Sequence, residues 1–234
     1  MSNKPVLYLL PGLLCDATVW EHQQSTLAPY AEIRIPVFKG ISSFREMALS
    51  MLQDAPSHFS IVGHSMGGRV ALELMHLFPD RIDKFALMSV GVHPLQPGEF
   101  DKRMAMVDLA EQKGMEALAD AWIPPMVHPS RHQDTVLMQS IRAMVLRNTP
   151  ADHRCQIEAA LTRADQSLYL PTIRHQVLLL CGEDDGWSPL SQHKAIQQQL
   201  PKSELHSIAA AGHMVTMEQP DSVSQVLLQW FTAS

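Results

Sequence analysis

The chain has 234 residues, 46% apolar and 18% charged, which is enough apolar side chain for a sizeable core and too little charge for a disordered segment. A net charge of −6 with no run of Lys or Arg gives no electrostatic reason to expect nucleic acid and disfavours an anionic membrane surface. Three cysteines (Cys15, Cys155, Cys181) without CxxC spacing argue against a disulfide framework or a zinc site and fit a reducing, cytoplasmic compartment.

The apolar run at 6–10 is too short for a signal-peptide core, and no stretch approaches the ~20 apolar residues of a membrane-spanning helix. Residues 5–10 read as a first strand, ending at Pro11-Gly12, and 32–37 as a second, ending near Gly40. Phe44, Met47, Ala48, Met51, Leu52 and Ala55 then recur at helical spacing, with Ser43 and Glu46 as a capping box. A third strand at 58–62 runs into Gly63, and Val70, Leu74, Leu77 and Phe78 mark a helix that Pro79 stops. The run at 85–90 is a fourth strand.

The alternation breaks at 93–173. That stretch shows helical patterns such as Leu137, Met138, Ile141, Met144 and Val145, interrupted by Pro124-Pro125. It reads as a helical insertion over one end of the sheet. Strands at 176–181 and 204–208 and a last helix with Val223, Val226, Leu227, Trp230 and Phe231 complete the chain. Several strands are almost continuously apolar, as strands buried on both faces should be. Strand and helix in alternation predict an α/β fold: a parallel sheet with helices on both faces, joined by right-handed crossovers. The core is expected at 1–92 and 174–234, with 93–173 inserted into it.

The sharpest local signal is Gly63-His64-Ser65-Met66-Gly67-Gly68, which follows an apolar strand and opens an amphipathic helix. This is the context in which GxSxG forms a strained turn. Side chains at Gly63 and Gly67 would collide with neighbouring backbone, and Gly68 lets the helix pack against the sheet. The serine is pushed out at the C-terminal edge of the sheet, beside the positive end of a helix dipole.

A serine needs a neighbouring base to be a nucleophile near neutral pH. Of twelve histidines, His213 lies in a loop after the last strand, at the same edge as Ser65. The base needs a carboxylate to hold its tautomer. Glu183, Asp184 and Asp185 all follow the fifth strand, and composition alone does not choose among them.

These segments resemble the α/β-hydrolase superfamily, in particular small capped esterases and lactonases. The resemblance rests on Leu9-Leu10-Pro11-Gly12-Leu13, the Gly63–Gly68 hexad, the run 182–189 and Gly212-His213, in that order. It implies Asp185, three residues after the strand's closing glycine, as the acid. It also implies an oxyanion hole from the backbone N–H groups of Leu13 and Met66. It further implies that 93–173 is a cap over Ser65 whose methionines and Trp122 are candidate pocket lining. The sequence departs from the family in having Pro11-Gly12 where His-Gly is common. It also lacks the usual N-terminal strand pair, so a mostly parallel sheet of about six strands is expected. The implied activity is hydrolysis of a small ester, thioester or lactone through an acyl-enzyme on Ser65, with no cofactor or metal. Cleavage of a carbon–carbon bond, lyase or perhydrolase chemistry on the same residues, and a non-catalytic ligand sensor are the alternatives. A small molecule is the expected partner, and oligomeric state stays open.

Overall fold

In a computed structural model the described residues are 4–233, so positions 1–3 and 234 of the expected core lie outside the described residues. Strands β1 (Val6–Leu10), β2 (Glu32–Arg34), β3 (Phe59–His64), β4 (Ile82–Met88), β5 (Val177–Gly182) and β6 (Ser203–Ile208) make one sheet in the order β2-β1-β3-β4-β5-β6. Every pairing is parallel. The helices are α1 (Glu21–Leu27), α2 (Phe44–Met51), α3 (Met66–Leu77), α4 (Glu99–Trp122), α5 (Thr135–Leu146), α6 (Pro150–Leu161), α7 (Leu190–Gln199), α8 (Val215–Glu218) and α9 (Pro220–Thr232).

Successive residues of a strand point to opposite faces, so each central strand feeds two cores. Leu7, Leu9, Val62, Ala86, Leu178 and Leu180 pack with residues of α1 and α9 on one face. Tyr8, Leu10, Ile61, Phe85, Leu87 and Leu179 pack with residues of α2, α3 and α7 on the other. The strands β1, β3 and β5 are buried along their whole length, which explains their unbroken apolar reading.

Several boundaries differ from the sequence reading. β2 stops at Arg34 rather than 37, just before Pro36, which has no N–H to give the ladder. α2 stops at Met51, short of 55, and Pro56 keeps the residue before it, Ala55, out of helical geometry. At its start, the Ser43 hydroxyl accepts from the Glu46 N–H at 3.4 Å, which is one arm of the expected capping box. β3 continues through Gly63 and His64, which pair in register with Leu87 and Met88.

β1 has β2 on one side and β3 on the other. The connections leaving β1 and β3 therefore diverge, opening a crevice at the carboxyl ends of these strands, where ligands bind in open α/β sheets. Between β4 and β5 the chain makes α4, α5 and α6. Gly114, at φ 84°, breaks α4 into two arms. Ala110, Leu118, Trp122, Ile141 and Met144 of this segment join the same continuous buried cluster as Leu7 and Leu9.

Candidate active site

Ser65 sits between β3 and α3 at φ 53° and ψ −114°, a backbone region that non-glycine residues occupy only where their surroundings enforce it. The enforcement is local. Ser65 N–H donates to Met88 O at 2.8 Å, and Gly68 N–H returns to Ser65 O at 3.0 Å. A Cβ on Gly67 would lie 2.3 Å from Leu10 O, and one on Gly63 2.6 Å from Gly67 O. The turn closes only because both positions lack a side chain.

His213 and Asp185 meet this serine. His213 Nε2 is 2.8 Å from Ser65 Oγ, and His213 Nδ1 is 2.9 Å from Asp185 Oδ2 and 3.1 Å from Oδ1. Asp185 is 2% exposed and His213 3%. Burial raises the cost of the Asp185 charge. The facing His213 ring and the N–H groups of Ser188 (2.8 Å) and Trp187 (2.9 Å) outweigh that and hold its carboxyl below the usual range. An ionised carboxylate only accepts hydrogen bonds, so His213 carries its hydrogen on Nδ1 and presents a lone pair at Nε2 to the serine. The neighbouring acids do other things. Asp184 pairs with His128 at 3.3 Å, and Glu183 accepts from Ser207 Oγ at 3.0 Å.

The backbone N–H groups of Leu13 and Met66 belong to the loop after β1 and the first turn of α3, and both residues line one cavity with Ser65 and His213. Among the described residues neither N–H donates to a protein acceptor. The loop after β1 is held by groups that no sequence motif announces. Leu14, at φ 61°, donates its N–H to Gln156 Oε1 at 2.9 Å and accepts from Asn148 Nδ2 at 3.1 Å. The histidine loop is fixed in the same way. Glu218 is 1% exposed and accepts from Gly212 N–H at 3.0 Å and His128 N–H at 2.7 Å. Burial pushes its carboxyl up, and those two donors work against the shift. Met126 O accepts from the N–H groups of both His213 (2.9 Å) and Met214 (3.1 Å). His64 Nε2 lies 2.9 Å from His213 O. Burial and the neighbouring His213 ring push the His64 pKa down to about 4, so a neutral Nε2–H donates to that carbonyl.

The cavity measures about 410 Å³. Of the candidate lining residues, Met106, Trp122 and Met126 reach it. Met104, Met115, Met138 and Met144 do not line it. Met144 is core, and Met138 lines a separate cleft with Arg142. Among the described residues no helix is long and apolar enough to cross a membrane.

The sequence model of the alpha/beta hydrolase family matches residues 7–226. A pimeloyl-[acyl-carrier protein] methyl ester esterase from Nitrosomonas europaea is 26% identical, over 94% of this chain and 93% of its own length. The structure of a thermophilic esterase from Thermogutta terrifontis superposes with a TM-score of 0.86 at 26% identity, covering 97% of this chain and 89% of that one. The enol-lactonase from Burkholderia xenovorans superposes with a TM-score of 0.89 at 21% identity, over 99% and 93%, and that likeness speaks for the fold. With a family match over nearly its whole length, a six-stranded parallel sheet and a serine on a strained turn facing a histidine, the chain belongs to the alpha/beta hydrolase family and is a hydrolase of that type.

Proposed function

We propose that the chain hydrolyses a small ester, thioester or lactone with an apolar moiety, through an acyl-enzyme on Ser65. The observation that carries this reading is the 2.8 Å contact of Ser65 Oγ with a buried His213 whose other nitrogen faces Asp185 at 2.9 Å. Ser65 Oγ attacks the substrate carbonyl as its proton passes to His213 Nε2. The Leu13 and Met66 N–H groups receive the oxyanion, and each such donor is worth roughly 10²–10³ in rate. His213 then returns the proton to the leaving alcohol, thiol or alkoxide. Water attacks the acyl carbon as His213 takes its proton, and His213 then gives that proton to Ser65 Oγ as the acyl–oxygen bond breaks and the acid leaves.

The cavity supports an apolar moiety in the substrate. Leu13, Phe44, Met106, Trp122, Met126 and Ile157 line it, so an apolar portion fits beside the serine. Residues 93–173 act as the cap that excludes water over the ester. The name of one relative specifies a methyl ester, consistent with ester chemistry here.

Replacing Ser65 by Ala tests the reading. Turnover of 4-nitrophenyl butyrate should fall by at least about 10³, while circular dichroism and melting temperature stay at the wild-type value. A Ser65→Ala variant that keeps wild-type activity overturns it.

A further inference from the structure

We infer that the substrate carries a neutral oxygen, a hydroxyl or a keto group, away from the bond that is cut, and that His153 is the residue that receives it. The inference rests on the hydrolase reading for the bond itself, but the receptor stands on separate observations. On α6, His153, Ile157 and Ala160 line the same cavity as Ser65. Positions spaced by four and then three residues share one face of a helix. The cavity thus meets one polar side chain on an otherwise apolar face.

His153 is 1% exposed, and a polar group buried to that degree is normally hydrogen-bonded. The other buried histidines obey that rule. His64 Nε2 donates to His213 O at 2.9 Å, His193 Nε2 accepts from Val90 N–H at 3.2 Å, and His213 faces Ser65 and Asp185. His153 is the exception. Its Nδ1 is buried without a partner, and only burial and the charges of Arg103 and Glu111 act on the ring. An unpaired polar group in the interior costs stability, and an apolar side chain would line this face without that cost.

The ring's charge state narrows what it can receive. Burial and the Arg103 guanidinium push the His153 pKa down to about 4, against the weaker pull of Glu111. Near pH 7 the imidazole is neutral, with one N–H and one bare nitrogen. It complements a hydroxyl, which can donate or accept, or a keto oxygen, which accepts. It brings no positive charge to an anion.

The helix that carries His153 is tied to the machinery around Ser65. Gln156, three residues on, accepts from the Leu14 N–H at 2.9 Å, in the loop whose Leu13 N–H the proposed mechanism uses. At the start of α6, Thr149 and Asp152 form a capping box. These contacts hold the imidazole in place relative to Ser65, as a group that selects a substrate must be held. A site built to pair a substrate oxygen rejects the analogue lacking it far more strongly than an apolar pocket rejects a missing methylene.

The test compares 4-nitrophenyl hexanoate with its 3-hydroxy, 5-oxo and 6-hydroxy counterparts, and butyl hexanoate with 4-hydroxybutyl hexanoate for the alcohol side, after subtraction of spontaneous hydrolysis. In wild type at least one oxygenated ester should exceed its parent by about tenfold or more in kcat/KM. His153→Leu should remove that preference and leave the parent esters within about threefold of wild type. His153→Phe takes its place should the leucine variant fail to fold. A wild type that prefers the parent esters or treats every pair alike, as it would if water satisfied the ring, overturns the inference. So does a preference that the substitution leaves unchanged, or a loss that falls equally on parent and oxygenated esters. If no ester is turned over, the hydrolase reading fails, and calorimetry on Ser65→Ala with the methyl esters of the same acids and the two butyl esters decides the receptor by itself. Binding of an oxygenated ester about tenfold or more tighter than its parent, and lost on a further His153→Leu, supports it. Absence of binding, equal binding, or a difference that survives the substitution overturns it.

Discussion

In the proposed mechanism the proton path at Ser65 depends on which nitrogen of His213 carries hydrogen, and Asp185 would decide that by being able only to accept. Asparagine at 185 offers an N–H toward Nδ1 and so favours the tautomer that is protonated at Nε2, which has no lone pair for the serine. Trp187 and Ser188 both donate to Oδ1 of Asp185, and an asparagine oxygen keeps those contacts. Asp185→Asn should therefore fold normally and lose about 10³–10⁴ in kcat. Steady-state kinetics on an aryl ester, with near-ultraviolet circular dichroism as the control for folding, checks both halves. The sequence leaves this acid open among three carboxylates because they share one turn; the family resemblance picks Asp185. The physical difference between it and Asp184 is a pair of N–H groups that only the folded turn presents. Ser65 is more legible. Its conformation needs glycines on both sides, and glycines can be read directly.

At the scale of elements, the loop between β6 and α8 is positioned by side chains that point at backbone. Glu218 ties Gly212 to His128, and so joins the histidine loop to the segment after α4. Removing its carboxylate leaves two N–H donors without an acceptor, a loss of about 2–4 kcal/mol. Glu218→Ala should lower the melting temperature by roughly 4–16 °C at about 2–4 °C per kcal/mol for a chain of this size. It should also reduce kcat more than it raises KM, because the base is misplaced while the apolar lining is untouched. Kinetics at two temperatures well below the new melting point would show this, and an unchanged kcat would mean that the loop is held by other contacts. Helix periods and strand runs reveal most of the elements. They do not reveal Glu218 or Gln156, since a carboxylate or amide that accepts from a distant N–H adds nothing to a hydrophobic pattern. Strand ends are misjudged where proline acts, as at Pro36.

Across the whole molecule, acid sensitivity follows from buried imidazoles. Burial pushes His64 and His153 down to about 4, and His193 is lowered by burial as well. An unfolded histidine titrates near 6.5. Between about pH 6.5 and 4 the unfolded chain therefore binds protons that the folded chain refuses. Stability is full above that window and declines as pH falls through it, by up to about 1.4 kcal/mol per pH unit for each such histidine. Asp185, whose carboxyl is held low, adds to the loss at lower pH. Urea unfolding at pH 7.5, 6 and 5 should show midpoints falling in that order, and His153→Gln should flatten the slope by up to one proton. A midpoint constant over this range would contradict the buried neutral state.

Met126 has a consequence for how a guest molecule gets in. Its carbonyl secures the backbone of His213 and Met214, so the roof over the serine has one end bolted to the machinery beneath it. Lifting that end would dismantle the proton relay at the moment of entry. The cavity is also lined by Glu99 at the start of α4 and by Arg103, whose guanidinium lies 5.8 Å from the half-exposed Trp187 ring.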